Sequence, residues 1–283
     1  MEQATASGTA LVVAVQRAIH QLVDEPKVLV DPVAGRLVEA AAPGVLEREL
    51  EAADLPRWRR WRAQWVLRSR FAEDELAAAV AQGVHQYVIL GAGLDTFAYR
   101  QPAWAAALHI FEVDHPATQA WKRAALAAAG MPVPTNLEWV PVDFERDPLA
   151  QALTAIGFDP ARAAFVSWLG VTQYLTRAAI DETLHFVAAL PAPSTIVLSF
   201  VLVDEALPQE ARERKHEAMA LYAAQGEPWL TSFHPDELRA HLHELGFARV
   251  VHLTPAQADA RYFAGRSDGM RAEPATQLMS ATV

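Results

Sequence analysis

The 283-residue chain contains no cysteine. This absence excludes disulfides, thiolate metal sites and cysteine nucleophiles, and it fits a cytoplasmic protein. Basic residues are outnumbered, because 24 Lys and Arg face 34 Asp and Glu, for a formal net charge of −10 at pH 7. A chain of this charge is repelled by phosphate backbones and by anionic lipid. We therefore expect neither nucleic acid nor a membrane as a partner, and we assign no metal site.

Long apolar runs are also missing. The run from Leu11 to Val15 is too short to span a bilayer and has no basic residue before it, so it is not a secretory signal. Hydrophobic residues nevertheless make up 52% of the chain and charged residues 20%, as in ordinary globular proteins. We expect a single domain over residues 1–283, with a helical part at 1–80 and an α/β core at 81–283. A Gly-x-Ser-x-Gly motif is absent, which argues against the usual α/β serine hydrolases.

What the chain does contain is an apolar run of strand length that ends in two glycines, Gly91 and Gly93. A second apolar run ends on Asp114, 21 residues beyond Gly93. In an open parallel sheet such a turn lies at the carboxyl edge, where glycines let a ligand approach the backbone. An acid that closes the next strand can accept hydrogen bonds from both hydroxyls of a ribose. The pattern predicts a site for an adenosine-like ligand.

The glycine turn lacks the residues that bind phosphate. No Lys-Ser or Lys-Thr pair follows it, as a P-loop would require, and Thr96 replaces the third glycine of the dinucleotide fingerprint. Asp95 would repel a pyrophosphate but suits a ligand that carries a sulfonium and an ammonium group. S-adenosylmethionine has both charges and no phosphate. The alternative interpretation of Gly-x-Gly is a structural turn without a ligand.

A third apolar run is followed by Asp143 and Phe144. At the same sheet edge as Asp114, an acid followed by an aromatic residue suits an adenine, because the carboxylate accepts from the exocyclic amine and the ring supplies apolar contact. The competing interpretation is that Asp143 caps the next helix near Glu145.

Apolar runs and helical patterns alternate from residue 86 onward. The runs predict seven strands, at 86–91, 108–113, 137–142, 163–169, 194–202, 247–253 and 276–282. The helical patterns lie near 116–129, 146–156, 176–190, 205–224 and 235–245. This alternation predicts a doubly wound α/β fold with a mainly parallel sheet, helices on both faces and an antiparallel last strand. The helical stretch near 205–230 is predicted to be an insertion that covers the ligand edge.

A basic, aromatic helix is predicted at 57–70, with Trp58, Trp61 and Trp65 on one face. One interpretation is a patch for an acidic partner, a membrane surface or nucleic acid. The other is that the tryptophans pack on the domain while the arginines are solvated or paired with acids at 47–51. An arginine at the end of this helix could also reach a carboxylate across the sheet edge.

Between the last two strands, 261–271 is either a loop over a substrate or a well-anchored turn.

The segment Leu90-Gly91-Ala92-Gly93-Leu94-Asp95-Thr96 resembles the signature of the leucine carboxyl methyltransferase family. It is most similar to the bacterial branch of O-methyltransferases of polyketide biosynthesis, and the similarity extends over residues 65–275. The resemblance implies a class I, Rossmann-like methyltransferase with S-adenosylmethionine as cofactor. The cofactor contacts that it implies are Arg70 to the cofactor carboxylate, the turn at Gly91 and Gly93, Asp114, Asp143 and Phe144.

Leu169 departs from the family, because the eukaryotic members have a glutamate at this position. Carboxyl specificity therefore does not follow, and we expect O-methylation of a carboxylate or a hydroxyl of a small molecule. No spacing singles out a general base among Tyr99, His115, Tyr174 and His234.

Two other functions stay open at the level of the sequence. An NAD-dependent oxidoreductase would use the same sheet and Asp114, but it would need the third glycine. A non-catalytic relic that keeps the cofactor pocket is the other alternative, and Leu169 is the hint of it.

Overall fold

Four helices precede the sheet in the computed structural model, which describes residues 7–283. They are α1 (Gly8–Val23), α2 (Ala34–Ala41), α3 (Val45–Leu50) and α4 (Pro56–Ala81). The Ser7 hydroxyl caps α1 by accepting from the Ala10 amide, and Pro56 opens α4, where its missing N–H costs nothing. Helix α4 is longer than the predicted 57–70, because the alanine-rich segment that follows consists of good helix formers.

Seven strands form one sheet in the order β3-β2-β1-β4-β5-β7-β6. They are β1 (Gln86–Leu90), β2 (His109–Asp114), β3 (Leu137–Pro141), β4 (Ala164–Trp168), β5 (Thr195–Val201), β6 (Arg249–Leu253) and β7 (Thr276–Thr282). The first five strands are parallel, whereas β7 pairs antiparallel with both β5 and β6. The predicted fold class, the seven predicted strands and the antiparallel last strand are therefore confirmed.

Helices cover both faces of the sheet. After β2 the chain forms α5 (Pro116–Ala128), α6 (Leu149–Ala155), α7 (Arg177–Ala188), α8 (Gln209–Ala224), α9 (Pro235–Glu244) and α10 (Pro255–Ala258), which runs on as a π-helical turn at Asp259–Phe263. Successive residues of β1 point to opposite faces. Val88 and Leu90 pack in the cluster that includes α6, α7 and α9, whereas Tyr87 and Ile89 pack in the cluster that includes α4. All five residues of β1 are buried, as expected for a strand covered on both sides.

The carboxyl ends of the parallel strands and the start of β7 meet at one edge of the sheet. Helix α8 and the loop at 225–233 lie over this edge, as the sequence predicts for the insertion. The helix itself begins only at Gln209, because the chain first forms a 3₁₀ turn at Asp204–Ala206 and then becomes extended at Leu207. No helix within residues 7–283 has both the length and the apolar character needed to cross a membrane.

Candidate functional site

A cavity of about 480 Å³ opens at the carboxyl edge of the sheet. This volume falls within the range of small-molecule and cofactor sites. Its walls come from the glycine turn after β1, the ends of β2, β3 and β4, helices α1 and α4, and the loop after α8. The predicted residues Gly91, Gly93, Asp114, Asp143 and Phe144 all line it.

The glycine turn leaves no room for a side chain at Gly91 and little room at Gly93. Gly91 has φ of 67°, and a Cβ there would lie 2.2 Å from Cγ2 of Val171. Gly93 has φ of 50°, and a Cβ there would lie 3.1 Å from Cβ of Ala10 in α1. Both glycines also line the cavity, so the turn presents backbone there while α1 packs directly against it.

Asp114 lies at the end of β2 and lines the cavity with its carboxylate. One oxygen accepts from the Gly93 amide, and the other accepts from the His115 amide at 2.7 Å. Burial raises the pKa of the Asp114 carboxyl, although the two amides oppose this shift. A carboxylate has about four acceptor positions, so the two that remain can receive hydroxyl donors. The backbone thus fixes the carboxylate in place and leaves it able to bind a ligand.

Asp95 forms part of a buried polar network behind the glycine turn. Arg17 donates to Asp95 at 3.2 Å, to Asp31 at 2.6 Å and to Thr96 at 2.7 Å. Burial would raise the pKa of the Asp95 carboxyl, but nearby cationic side chains, Arg17 foremost, keep it below its usual value. Asp95 is therefore ionised at neutral pH, and it faces the cavity as a negative charge. Arg17 is a lining residue that the sequence reasoning missed.

Asp143 and Phe144 follow β3 at the far side of the cavity from α4. The Asp143 carboxylate accepts from the Glu145 amide at 3.1 Å, and it lies 3.7 Å from Arg146. Its side chain is 30% exposed, so it remains accessible from the cavity. The local turn and the cavity wall therefore use the same side chain, and the two interpretations of Asp143 are compatible.

The structure places Arg68, and not Arg70, at the cavity. Arg70 pairs with Asp74 at 2.8 Å, has 45% of its side chain exposed and does not line the cavity. The assignment of Arg70 therefore needs correction. Two residues along an α-helix correspond to a rotation of about 200°, so Arg68 and Arg70 point to nearly opposite sides of α4.

Arg68 is an uncompensated cation. Within residues 7–283 no carboxylate lies within ion-pair distance of its guanidinium, and burial lowers the pKa of Arg68 to about 10. A Cβ on Gly170 would lie 2.4 Å from Nη1 of Arg68, so only glycine admits the guanidinium at this place. The spacing of Trp61, Trp65 and Arg68 on one face of α4 was the signal that could have identified it.

Of the four residues considered as general bases, two lie at the cavity. His115 and Tyr174 line the cavity, whereas Tyr99 and His234 do not. The His115 ring accepts from the Ala117 amide at 3.2 Å and thereby caps α5. Burial raises the pKa of Tyr174, which leaves its hydroxyl protonated at neutral pH. Leu169 contributes an apolar wall where the eukaryotic family members have a glutamate.

The loop after α8 closes the cavity against the start of α1. Ser7 donates to Glu227 at 3.0 Å, and Thr9 donates to the other oxygen of the same carboxylate. Gly226, Glu227, Pro228 and Leu230 are lining residues. No motif in the sequence indicates them, because a contact between residues more than 200 positions apart leaves no local pattern.

The polar segment at 261–271 is an anchored turn and does not line this cavity. Arg261 and Tyr262 each donate to Asp74 at 2.9 Å, and Asp268 accepts from the Met270 amide at 3.1 Å.

Two arginines of the basic helix α4 form ion pairs with other parts of the N-terminal region. Its buried Arg62 pairs with Asp24 at 2.6 Å and Arg59 pairs with Asp54 at 3.3 Å, instead of with the acids at 47–51.

Comparison with known proteins agrees with this geometry. The model of the leucine carboxyl methyltransferase family matches residues 10–188. YktD of Bacillus subtilis, provisionally named an S-adenosyl-L-methionine-dependent methyltransferase, is 32% identical over 298 residues, which cover 96% of each chain. A protein of Mycolicibacterium smegmatis with the same provisional function in its name is 34% identical over 268 residues, which cover 91% of this chain and 82% of the relative.

Solved structures share the fold at low sequence identity. A DUF574 family protein of Streptomyces avermitilis superimposes with a TM-score of 0.58 at 16% identity and covers 98% of this chain and 97% of its own. A provisionally named methyltransferase of Thermobifida fusca gives a TM-score of 0.51 at 20% identity, and the superposition covers 95% of this chain and 93% of the Thermobifida chain. The chain belongs to the leucine carboxyl methyltransferase family and has the fold of the class I methyltransferases.

Proposed function

We propose that this protein transfers the methyl group of S-adenosylmethionine to an oxygen atom of a small molecule. The observation that carries the proposal is the charge pattern of one cavity. The uncompensated cation of Arg68 lies on one wall, and the carboxylates of Asp95 and Asp114 lie on others. A nucleoside that bears a carboxylate, an ammonium and a sulfonium is complementary to this pattern. A pyrophosphate would meet Asp95 and no phosphate cradle, which disfavours a nicotinamide dinucleotide.

The chain's residues divide the binding work. Arg68 would pair with the cofactor carboxylate, and Asp114 would accept from the ribose hydroxyls. Asp143 would accept from the adenine amine, and Phe144 would contact the ring. The backbone at Gly91 allows the methionine portion to approach, and Asp95 supplies negative charge near it. When bound, S-adenosylmethionine supplies an electrophilic methyl group, so the protein's task is positioning and the exclusion of water.

The choice of oxygen as the acceptor atom rests on the family to which the chain belongs. A carboxylate acceptor needs no general base, whereas a hydroxyl has to lose a proton to a base or to solvent. Nδ1 of His115 accepts from the Ala117 amide, so in the neutral ring Nε2 carries the hydrogen and can donate to an acceptor oxygen. The apolar Leu169 and the closed loop at Glu227 limit access of water to the cavity.

Titration calorimetry tests the cofactor assignment. We expect S-adenosylhomocysteine to bind the wild-type protein and NAD not to bind. Asp114→Ala should weaken S-adenosylhomocysteine by about 10- to 100-fold, because hydrogen bonds to a charged group contribute about 1.5–3 kcal/mol. Binding of NAD alone, or unchanged affinity in Asp114→Ala, would contradict the proposal.

Transfer of a labelled methyl group to a panel of carboxylic and phenolic acceptors tests the reaction itself. We expect the wild-type protein to methylate at least one class of acceptor. Asp114→Ala should methylate the same acceptors more slowly. A protein that binds S-adenosylhomocysteine but methylates nothing across a broad panel would instead be the non-catalytic relic.

A further inference from the structure

A second chamber of about 80 Å³ adjoins the main cavity. The two share Arg68, Gly170 and Tyr174 as walls, so they are connected at the end of β4. Thr276 at the start of β7 also lines the chamber. The chamber therefore lies over the β4–β7 half of the sheet edge, whereas Asp114 and Asp143 lie over the β2–β3 half. A nucleoside on the β2–β3 half would point its far end toward the chamber.

Aromatic side chains form the walls of this chamber. Trp61 stacks on Tyr222 with ring centroids 6.0 Å apart and an interplanar angle of 22°, and Tyr222 stacks on Trp229 at 5.7 Å and 21°. Trp65 meets Trp61 edge-on at 5.6 Å. The three stacked rings come from α4, α8 and the loop after it, so the chamber forms only where the insertion lies on the N-terminal helices. Such walls favour a flat, apolar ring.

Gln64 gives the chamber a polar group that nothing in the described chain satisfies. Its side chain lies on the same face of α4 as Trp61 and Arg68, and only 5% of the residue is exposed. Neither its amide oxygen nor its amide nitrogen has a hydrogen-bond partner within residues 7–283. Buried amides are nearly always paired, because an unpaired one costs the full desolvation of its polar atoms. The amide is therefore available to a ligand that brings both a donor and an acceptor.

The charges around the chamber are already paired. Lys215 donates to Asp204 at 2.8 Å, and Arg214 contacts Glu273 at 3.5 Å. The exception is Arg68, which lies at the mouth shared with the main cavity. A charged ring substituent would thus lack a counter-ion deep in the chamber, and its desolvation would be unfavourable.

We propose that this chamber selects the methyl acceptor, and that it takes an uncharged, flat aromatic ring bearing a hydroxyl that exchanges hydrogen bonds with Gln64. The proposal rests on the methyltransferase function proposed above. A cavity of about 150 Å³ is enough for benzene, so this chamber receives one edge of a ring while the rest of the ring spans the shared mouth. That position brings the remainder of the acceptor to the main cavity.

Calorimetry with a matched pair of probes tests the chamber. The probes are 2-naphthol and decahydro-2-naphthol, which share the ring skeleton and the hydroxyl but differ in planarity and aromaticity. Both are titrated into the wild-type protein with and without saturating S-adenosylhomocysteine. We expect 2-naphthol to bind at least about tenfold more tightly than its saturated counterpart, since stacking favours the aromatic ring.

Three variants locate the binding. Trp229→Ala removes one wall and Gln64→Leu removes the amide at similar volume, and each should weaken 2-naphthol by about tenfold. Trp58→Ala is the control, because Trp58 contacts Trp61 edge-on at 5.4 Å on the same helix but does not line the chamber. It should bind 2-naphthol as the wild type does. Thermal unfolding of each variant verifies that it is folded.

The two probes binding equally, neither of them binding, or Trp58→Ala weakening 2-naphthol as much as Trp229→Ala would overturn the proposal. Failure of the proposed function has a different signature. In that case S-adenosylhomocysteine does not bind, while the comparison of the two probes on the free protein still decides what the chamber accepts.

Discussion

The guanidinium of Arg68 lies against the backbone of Gly170, so closely that a Cβ at residue 170 would come within 2.4 Å of its Nη1 atom. Helix α4 and the turn after β4 are thereby fitted to each other at the junction of the cavity and the chamber. The glycine has φ of 77°, which also favours the absence of a side chain. This contact fixes the position of the one uncompensated cation of the site within the described chain.

Arg68→Met should weaken S-adenosylhomocysteine by about 10- to 100-fold, because it removes the charge that pairs with the ligand's carboxylate at similar side-chain length. Arg70→Met is the matched control, since Arg70 is two residues away on the same helix and faces Asp74. Calorimetry should show unchanged affinity for this control. An equal loss of affinity in the two variants would mean that binding depends on the total charge of the helix and not on the position of Arg68.

Gly170→Ala should lower both stability and affinity for S-adenosylhomocysteine. Gly130→Ala should lower stability alone. Both glycines have positive φ, but the space around Gly130 is open, whereas a methyl group at residue 170 displaces Arg68. The shared backbone strain costs about 1 kcal/mol or more of the free energy of unfolding. Denaturant unfolding and calorimetry on both variants separate the two effects, and a Gly170→Ala protein with normal affinity would contradict this account.

Affinity for S-adenosylhomocysteine should fall as the pH is lowered from neutral into the acid range. Burial raises the pKa of Asp114, so its carboxylate takes up a proton at a higher pH than an ordinary aspartate does and then accepts fewer hydrogen bonds from the ribose. Asp114→Asn should bind weakly across this range with a smaller pH dependence. An identical slope in wild type and Asp114→Asn would assign the titration to another group.

Lys122→Met should lower the free energy of unfolding by about 3–5 kcal/mol, because it leaves the fully buried Glu112 without its partner at 2.6 Å. Burial already raises the pKa of Glu112 to about 7, against an ordinary value of 4.5, and loss of the lysine raises it further. A folded acid with a raised pKa loses stability as the pH rises, so the deficit should be larger at pH 8 than at pH 5.

The double variant Glu112→Gln, Lys122→Met completes a mutant cycle for this pair. It should recover much of the stability lost in Lys122→Met, because it no longer buries an unpaired charge. Denaturant unfolding measures all members of the cycle. A double variant as unstable as Lys122→Met would show that packing around residue 122 dominates.

The fold could be predicted because its signals are local. Each strand of the parallel sheet is a short apolar run, since both faces of the sheet are covered, and each is bounded by a turn. The glycine turn and Asp114 follow from the same logic, because strand ends in a parallel sheet share one edge. Even the insertion could be predicted from its place between β5 and α9, although its first turn is a 3₁₀ helix that is separate from α8.

The rest of the site depends on contacts that no local pattern encodes. Whether Arg68 or Arg70 faces the cavity depends on how α4 is rotated about its own axis. Trp61 and Trp65 indicate this rotation only once the buried face of the helix is known. Arg17 reaches Asp95 across 78 positions, and Glu227 meets Ser7 across 220 positions. Such pairs come together through packing of α1 on the glycine turn, which a single sequence does not reveal.

The contact between Ser7 and Glu227 has a practical consequence for anyone who purifies this protein. A bulky group attached at Ser7 itself would lie beside the cavity and compete with Glu227 for the Ser7 hydroxyl. Thr282 instead pairs with Thr195 at the start of β5, on the opposite edge of the sheet. An affinity tag or a fluorescent reporter therefore belongs at the carboxyl terminus, where it leaves ligand entry undisturbed.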